Sequence, residues 1–142
     1  TLSVYDTSNI VKAIKEKFPN IKEPRKTDIC YATSNRQLSV QQLAKKVDSF
    51  YIIGSSNSSN SVRLVETAKL FGCNHAELIE NINNFDFEKI KKFKNIGLTA
   101  SASAPEDLIK KFVKELKKYY KITINDQKIP ENVKFKIPNF LN

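Results

Sequence analysis

Three stretches of this 142-residue chain combine residue types that could do chemistry. The first is Cys30-Tyr31-Ala32-Thr33-Ser34-Asn35-Arg36-Gln37, the second Gly54-Ser55-Ser56-Asn57-Ser58-Ser59-Asn60-Ser61, and the third Thr99-Ala100-Ser101-Ala102-Ser103-Ala104-Pro105-Glu106. Each reads as a polar loop running straight into a helix. A helix start presents unpaired N–H groups and a positive dipole end, which favour anions. Ser and Asn side chains add short neutral donors that reach phosphate oxygens. Two serine-rich loops at neighbouring helix starts therefore predict a phosphate or diphosphate cradle. The ordinary alternative is capping, because Ser and Asn are good N-caps. Seven Ser or Asn within the eight residues Gly54–Ser61 exceed what one cap requires. Neither GxxxxGK[ST] nor GxGxxG is present, so the usual nucleotide fingerprints are missing.

Cys30 is the sharpest single residue. A thiolate at the mouth of this surface, near a helix start, has a lowered pKa and could be a nucleophile or a metal ligand. The alternative is a buried small hydrophobe, a common fate of free Cys. That second reading is the expectation for Cys73, which follows a helix stop and precedes a strand. The only histidine, His75, is expected at the start of that strand, opposite the loops, so a Cys30–His75 pair is not expected. A zinc site needs four ligands, and two Cys plus one His make three. No paired carboxylates gather in the loops, which leaves acid–base catalysis by this chain alone with little support.

The elements that must position these residues follow from periodicity. Asp6-Thr7-Ser8 offers caps for a helix carrying Ile10, Val11, Ile14 and Phe18, stopped by Pro19. Residues 19–28 read as a connector. A helix is expected from Asn35 to Val47, with Val40, Leu43, Ala44 and Val47 on one face. Phe50–Ile53, closed by Gly54, reads as a buried strand. The next helix carries Val62, Leu64, Val65, Ala68 and Leu70 and ends at Gly72 as a left-handed cap. His75–Ile79 is a second strand, Phe85–Phe93 a short lysine-rich helix, and Ile96–Thr99 a third strand. Pro105 opens the amphipathic helix Pro105–Tyr120, where Leu108, Ile109, Phe112, Val113 and Leu116 share a face. Ile122–Ile124 and Val133–Ile137 alternate like strands. Strands alternating with helices predict a parallel α/β sheet with right-handed crossovers. Ligands bind such a sheet beyond the carboxyl ends of its strands, where the three polar loops fall.

Composition sets the bounds. The chain is one domain's worth, 40% hydrophobic and 27% charged, so a largely disordered chain is excluded. No apolar run reaches a membrane span and no charged-then-apolar leader opens the sequence. Two cysteines do not make a disulfide scaffold and suggest a reducing compartment. Residue 1 is Thr, so the gene product need not begin here. The formal charge of +9 raises the expectation of an anionic partner. Yet 21 of the 24 bases are Lys and three are Arg, the residue that reads bases bidentately. The lysines, densest at Lys89–Lys94 and Lys110–Lys121, read as solvated faces, and with the many Asn and Ile they suggest AT-rich coding. Neither a nucleic acid nor a membrane is expected as partner.

The three loops resemble the third domain of 4-hydroxy-3-methylbut-2-enyl diphosphate reductase, the enzyme of the last step of the methylerythritol phosphate route to isoprenoids. Thr1-Leu2-Ser3-Val4, Pro24-Arg25-Lys26 and Val133-Lys134-Phe135-Lys136-Ile137-Pro138 are similar to family segments too, so the likeness covers essentially the whole chain. The resemblance implies an enzyme of three similar α/β domains, trefoil-like, around a 4Fe–4S cluster held by three cysteines, one per domain. Cys30 corresponds to the third. The family's residues matching Ser58, Ser59, Asn60 and Ser103 hold the allylic diphosphate substrate, with histidines of the other domains. Reductive loss of the substrate hydroxyl, with two electrons and two protons, yields isopentenyl and dimethylallyl diphosphate. Electrons come from an external donor such as ferredoxin or flavodoxin. The family's layout divides the chain into 1–24, belonging to the preceding domain; 25–124, the third domain; and 125–142, a tail that returns to the first domain. The cytoplasm of a bacterium or a plastid-type organelle is the implied location.

Two departures qualify the likeness. The family usually has Thr-Ala-Gly-Ala-Ser-Ala-Pro, and Ser101 stands in place of the Gly. If that Gly takes φ > 0, Ser101 would strain the loop and displace Ser103. Two cluster cysteines, the diphosphate histidines and the proton-donating glutamate lie in family segments before residue 1, and one cysteine cannot hold a cluster by itself. The portion alone is expected to be inactive, with no catalytic residue of its own. The competing reading is a free-standing phosphate- or polyanion-binding α/β module without catalysis.

Overall fold

The computed structural model describes residues 4–23 and 29–125. Its elements are α1 (Val4–Lys17), α2 (Tyr31–Ala44), β1 (Ser49–Ile53), α3 (Ser59–Leu70), β2 (Ala76–Ile79), 3-10 turns at Ile82–Asn84 and Phe87–Lys92, β3 (Ile96–Ala100) and α4 (Glu106–Tyr119). The three strands are parallel in the order β2-β1-β3. Phe50 pairs with Ala76 on one side and Gly97 on the other.

β1 is central and buried along its whole length. Its side chains alternate between two cores, as the strand period of two requires. Phe50 and Ile52 pack with Val40, Ala44, Leu64, Ala68 and Cys73 from α2, α3 and the turn after α3. Tyr51 and Ile53 pack on the other face with Ile79, Ile82, Ile90, Phe112 and Leu116. Around Tyr51 the rings of Phe85, Phe87 and Phe112 meet edge-on or tilted at centroid distances of 5.1–6.2 Å. Thus α2 and α3 cover one face of the sheet while α4 and the 3-10 turns cover the other. The chain leaving β1 enters α3, and the chain leaving the adjacent β3 enters α4 on the opposite face. The carboxyl ends of β1 and β3 therefore flank a topological switch point, the usual ligand crevice of an open parallel sheet.

The expected α/β sheet is present, with several boundaries moved. The first polar stretch is not a loop: α2 begins at Tyr31, immediately after Cys30. The Cys30 carbonyl accepts from the N–H of Thr33 and Ser34 at 2.9 and 3.1 Å. The hydroxyls of Ser34 and Ser39 donate to carbonyls four residues back, Cys30 and Asn35, at 3.4 and 2.9 Å, so these polar side chains are satisfied inside the helix. α2 also stops at Ala44 rather than Val47, because Asp48 is already committed to the sheet. Its carboxylate accepts from the N–H of Lys94 and Asn95 at 3.0 and 2.8 Å. α1 starts at Val4, ahead of the expected caps. Phe85–Phe93 contains a 3-10 turn over Phe87–Lys92 instead of an α-helix, with the Asp86 carboxylate capping Glu88 N–H. Val62 and Leu70 of α3 are exposed, and Leu64 and Ala68 carry its packing. Gly72 takes φ of +109°, the expected left-handed end of α3. Pro105 occupies the cap position before α4 rather than its first turn. Ile122–Ile124 forms no strand; Ile122 packs against Phe112's core and Ile124 is exposed. Thr1–Ser3, Pro24-Arg25-Lys26, the Val133–Ile137 strand and most of the 125–142 tail lie outside the described residues.

α1 differs from the rest. None of its residues is buried, and Tyr5, Ile10, Val11 and Ile14, with Phe18 just after it, all remain exposed. It is tied to the domain by polar contacts: Val4 N–H donates to Gln37 Oε1 at 2.9 Å, and the Arg63 guanidinium lies 3.6 Å from the Asp6 carboxylate. No helix among the described residues is long and apolar enough to cross a membrane.

Candidate functional site

Cys30 sits at the N-cap of α2, where its thiol makes no capping hydrogen bond and is exposed. The buried alternative for this cysteine is thus set aside. Two turns of α2 are then anchored to the switch point: Arg36 Nε donates to the carbonyl of Ala100, the last residue of β3, at 3.2 Å. Cys30 and the β3–α4 loop are joined through this bond.

The second stretch builds the start of α3. Ser58 is the N-cap, and its Oγ accepts from Ser61 N–H at 3.4 Å. Ser61, fully buried, uses its own Oγ to accept from Ser55 N–H at 3.3 Å. Ser55 in turn takes Ser58 N–H on its carbonyl and Asn57 N–H on its hydroxyl, at 3.0 and 3.2 Å. Capping therefore consumes Ser55, Ser58 and Ser61 and leaves Ser59 and Asn60 in the first turn. Both polar atoms of the Asn60 side chain are hidden from solvent and have no hydrogen-bond partner among the described residues. A buried amide left unsatisfied costs about 1–3 kcal/mol, so it marks a place where a partner is expected.

The third stretch closes the site. Ser101 N–H donates to the carbonyl of Ile53, the last residue of β1, at 2.9 Å, continuing the β1–β3 ladder one residue past β3. Ser101 is buried, its Oγ 3.5 Å from that of Ser103, which is exposed. The expected strain at Ser101 does not arise: no non-glycine residue among those described has positive φ. The residue that must be Gly is Gly54. A Cβ there would lie 2.9 Å from Ser61 Cβ and 3.1 Å from Ser101 Oγ, so its bare Cα lets the α3 start and the Ser101 turn close on β1.

Electrostatics separates the three helix starts. α2 and α3 have no acidic residue in the first turn, whereas α4 carries Glu106 and Asp107 there. The dipole of α4 is already answered by its own carboxylates, so an anion is favoured at α3, with Ser103 approaching from the side. Glu80, just beyond β2, completes the loop: its carboxylate accepts from Ser56 N–H at 2.7 Å. That backbone bond, and behind it the Ser56 hydroxyl, hold the Glu80 carboxyl below its ordinary range. A depressed carboxyl contributes fully above its unfolded value, about 4.3, and loses the contribution as pH falls through the lowered folded value. The Ser56 amide is therefore expected to show an acid transition below the ordinary glutamate range in an NMR titration. Glu80→Gln should remove that transition, and a Ser56 amide insensitive to acid in the unsubstituted protein would refute the tether.

Cys73 is buried and its Sγ lies 3.8 Å from the His75 carbonyl; burial pushes its thiol pKa up, which suits an inert core residue. His75 stands before β2 at the opposite end of the sheet, its ring 5.2 Å from that of Phe93, so Cys30 and His75 are not brought together. Among the described residues no group of three or more His, Cys, Asp and Glu converges on a metal position. Two concavities, beside Phe18 and around His75 and Lys92, lie away from the loops. Glu80, Arg36 and Gln37 carry no local signal of their roles in the sequence, because each acts through a partner distant along the chain.

Comparison with known proteins adds an independent line. The family model described as LytB protein matches residues 1–117. A 4-hydroxy-3-methylbut-2-enyl diphosphate reductase of Ruegeria sp. is 42% identical over 142 residues, covering 99% of this chain and 45% of the relative. One from Psychromonas ingrahamii is 48% identical over 139 residues, covering 97% of this chain and 44% of the relative. Among solved structures, the E-1-hydroxy-2-methyl-but-2-enyl-4-diphosphate reductase of Plasmodium falciparum superposes with TM-score 0.84 at 36% identity, over 99% of this chain and 45% of that one. A second, (E)-4-hydroxy-3-methyl-but-2-enyl diphosphate reductase, the terminal enzyme of the non-mevalonate pathway, gives TM-score 0.60 at 30% identity over 83% of this chain. The chain spans less than half the length of these relatives.

Proposed function

The chain belongs to the LytB protein family, and from that premise we propose that it is the C-terminal portion of a reductase. That enzyme converts 4-hydroxy-3-methylbut-2-enyl diphosphate to isopentenyl and dimethylallyl diphosphate. The observation that carries the reading is the convergence of the Cys30 helix, the α3 start and the Ser101–Ser103 turn on one switch point. In this reading residues 25–124 are the third domain, 1–24 belong to the preceding one, and 125–142 pack on the first. The exposed apolar side chains of α1 support an enzyme completed by further domains over a free-standing phosphate-binding module.

The residues present fit one corner of an iron–sulfur site. Cys30 offers an exposed thiol with no capping hydrogen bond, at the start of α2. The other two cysteines come from the remainder of the enzyme. When bound, a 4Fe–4S cluster supplies the two electrons, delivered by an external donor of the ferredoxin or flavodoxin kind, for loss of the substrate hydroxyl as water. This chain's own task is to hold the diphosphate. Ser59 and Asn60 at the α3 start and Ser103 beside it donate to its oxygens, and Ser58 holds the turn that presents them. The dipole of α3 adds favourable potential that no acidic first-turn residue cancels. With the diphosphate fixed, the allylic end is directed toward Cys30.

The complete enzyme, purified without oxygen and given a chemical reductant, is expected to form the two five-carbon diphosphates. The 142-residue portion is expected to form neither. Product from the portion alone, or none from a cluster-loaded complete enzyme, would overturn the reading.

A further inference from the structure

The concavity at the amino end of the sheet has a volume of about 270 Å³ and lies where β1 begins, before β2 and beside the 3-10 turn Phe87–Lys92. Its floor is Ser49 and Tyr51, each only 2% exposed. The Ser49 hydroxyl is spent on the His75 carbonyl at 2.8 Å. Burial pushes the Tyr51 phenol up, so its hydroxyl keeps its proton and can donate. The walls add three donor groups without a hydrogen bond or ion pair among the described residues: the Asn74 amide, the His75 ring and the Lys92 ammonium. Phe93 holds two of them on one side, with Lys92 Nζ 5.1 Å and the His75 ring 5.2 Å from its own ring. The one lining carboxylate, Glu77, stands 3.8 Å from the Lys89 ammonium, beyond hydrogen-bond length, and both are half-exposed, so Lys89 is only weakly neutralised. Unspent donors thus outnumber acceptors, and the charge left over is positive. A carboxylate brings two oxygens to such a set, whereas a phosphate brings three or more and a second charge. We propose that this concavity is a second anion site that takes a small phosphate-bearing molecule, separate from the diphosphate cradle at the other end of β1. The five residues of β1 hold the two sites about 16 Å apart. The proposal stands on this geometry alone and does not draw on the reductase reading.

The test is competitive acetylation of the complete enzyme, read lysine by lysine by mass spectrometry at constant ionic strength. Inorganic phosphate is the probe, glycerol phosphate the monoester, acetate the carboxylate control and chloride the reference. Because each lysine is read separately, phosphate held in the cradle does not enter the result. Phosphate at about 10 mM is expected to slow labelling of Lys92 and Lys89 by about threefold or more, with half the effect at about 1–3 mM, the weak end of specific binding. Lys114 and Lys117, exposed on α4 and outside the concavity, should keep their rates. Glu77→Gln should strengthen the protection by removing the lining carboxylate, and Tyr51→Phe should weaken it by removing the floor donor while keeping the ring in the core. Stronger protection by glycerol phosphate assigns the site to a phosphorylated metabolite, and protection by inorganic phosphate alone assigns it to the free ion. Equal slowing at Lys114 and Lys117 would be a general ionic effect and would overturn the site. Protection by acetate equal to that by phosphate would overturn the choice of ligand. Unchanged labelling of Lys92 in every anion would overturn both.

Discussion

Replacing Cys30 by Ser in the complete enzyme is expected to remove the cluster's visible absorbance and reduce turnover to background. Cys30 is the N-cap of α2, yet its side chain caps nothing, so the sulfur has no structural duty that would keep it from a metal. Its helix is held against the end of β3 by Arg36, which fixes where the sulfur stands relative to Ser103. Serine is the same shape and a better N-cap, so against the cluster-free protein Cys30→Ser should not cost stability and should raise it by up to about 1 kcal/mol. That separates the two effects: the fold stays, the cluster goes, because a Ser hydroxyl does not ionise where a thiol does. Cys73→Ser is the control. Its Sγ is buried against the His75 carbonyl, and a hydroxyl there makes a similar bond, so a loss of about 1–2 kcal/mol with the cluster intact is expected. Iron content and absorbance per chain decide the matter. A Cys30→Ser enzyme that keeps both would refute the assignment, as would loss of the cluster on changing Cys73.

The contrast between these cysteines shows how far local reading extends. Cys73 follows Gly72, and a small apolar residue between a helix stop and a strand has one plausible place, the core. Phe50–Ile53 is as plain, because an uninterrupted apolar run closed by Gly54 fits a strand covered on both faces. The Cys30 stretch misleads for a physical reason: Thr, Ser and Asn favour loops only when their side chains compete with the backbone. In α2 the serine hydroxyls bond back to carbonyls one turn earlier and stop competing. Ser101 misleads differently. The loop's glycine requirement is a matter of close approach, and the approach is made at Gly54, 47 positions earlier. Glu80 and Gln37 could not be read from sequence, since their roles exist only once β2 and α1 are in place.

Asn60→Leu should separate stability from diphosphate binding, in opposite directions. In the ligand-free protein the Asn60 amide is desolvated and unpaired, a cost of about 1–3 kcal/mol. An apolar side chain of similar size removes that cost, so Tm should hold or rise. A diphosphate reaches the amide by turning it outward or displacing the residues above it, and the bond then formed is to a charged group, worth about 1.5–3 kcal/mol. Its loss should raise KM for the diphosphate by about 10- to 150-fold, with a smaller change in kcat. Asn60→Asp sharpens the test. The helix dipole favours a carboxylate in the first turn of α3 by about 0.3–1 kcal/mol. At this hidden position, however, the charge is either desolvated or turned out to solvent, so the empty protein is expected to be no more stable than Asn60→Leu. The same charge repels a diphosphate, so binding should fall below that of Asn60→Leu. If the Asn60 amide were merely a packing defect, Asn60→Leu would gain stability and keep KM. If it were a structural hydrogen-bonding group, Asn60→Leu would lose stability. Only an amide held in reserve for an anion gives a Leu variant at least as stable as the unsubstituted protein that binds the diphosphate worse.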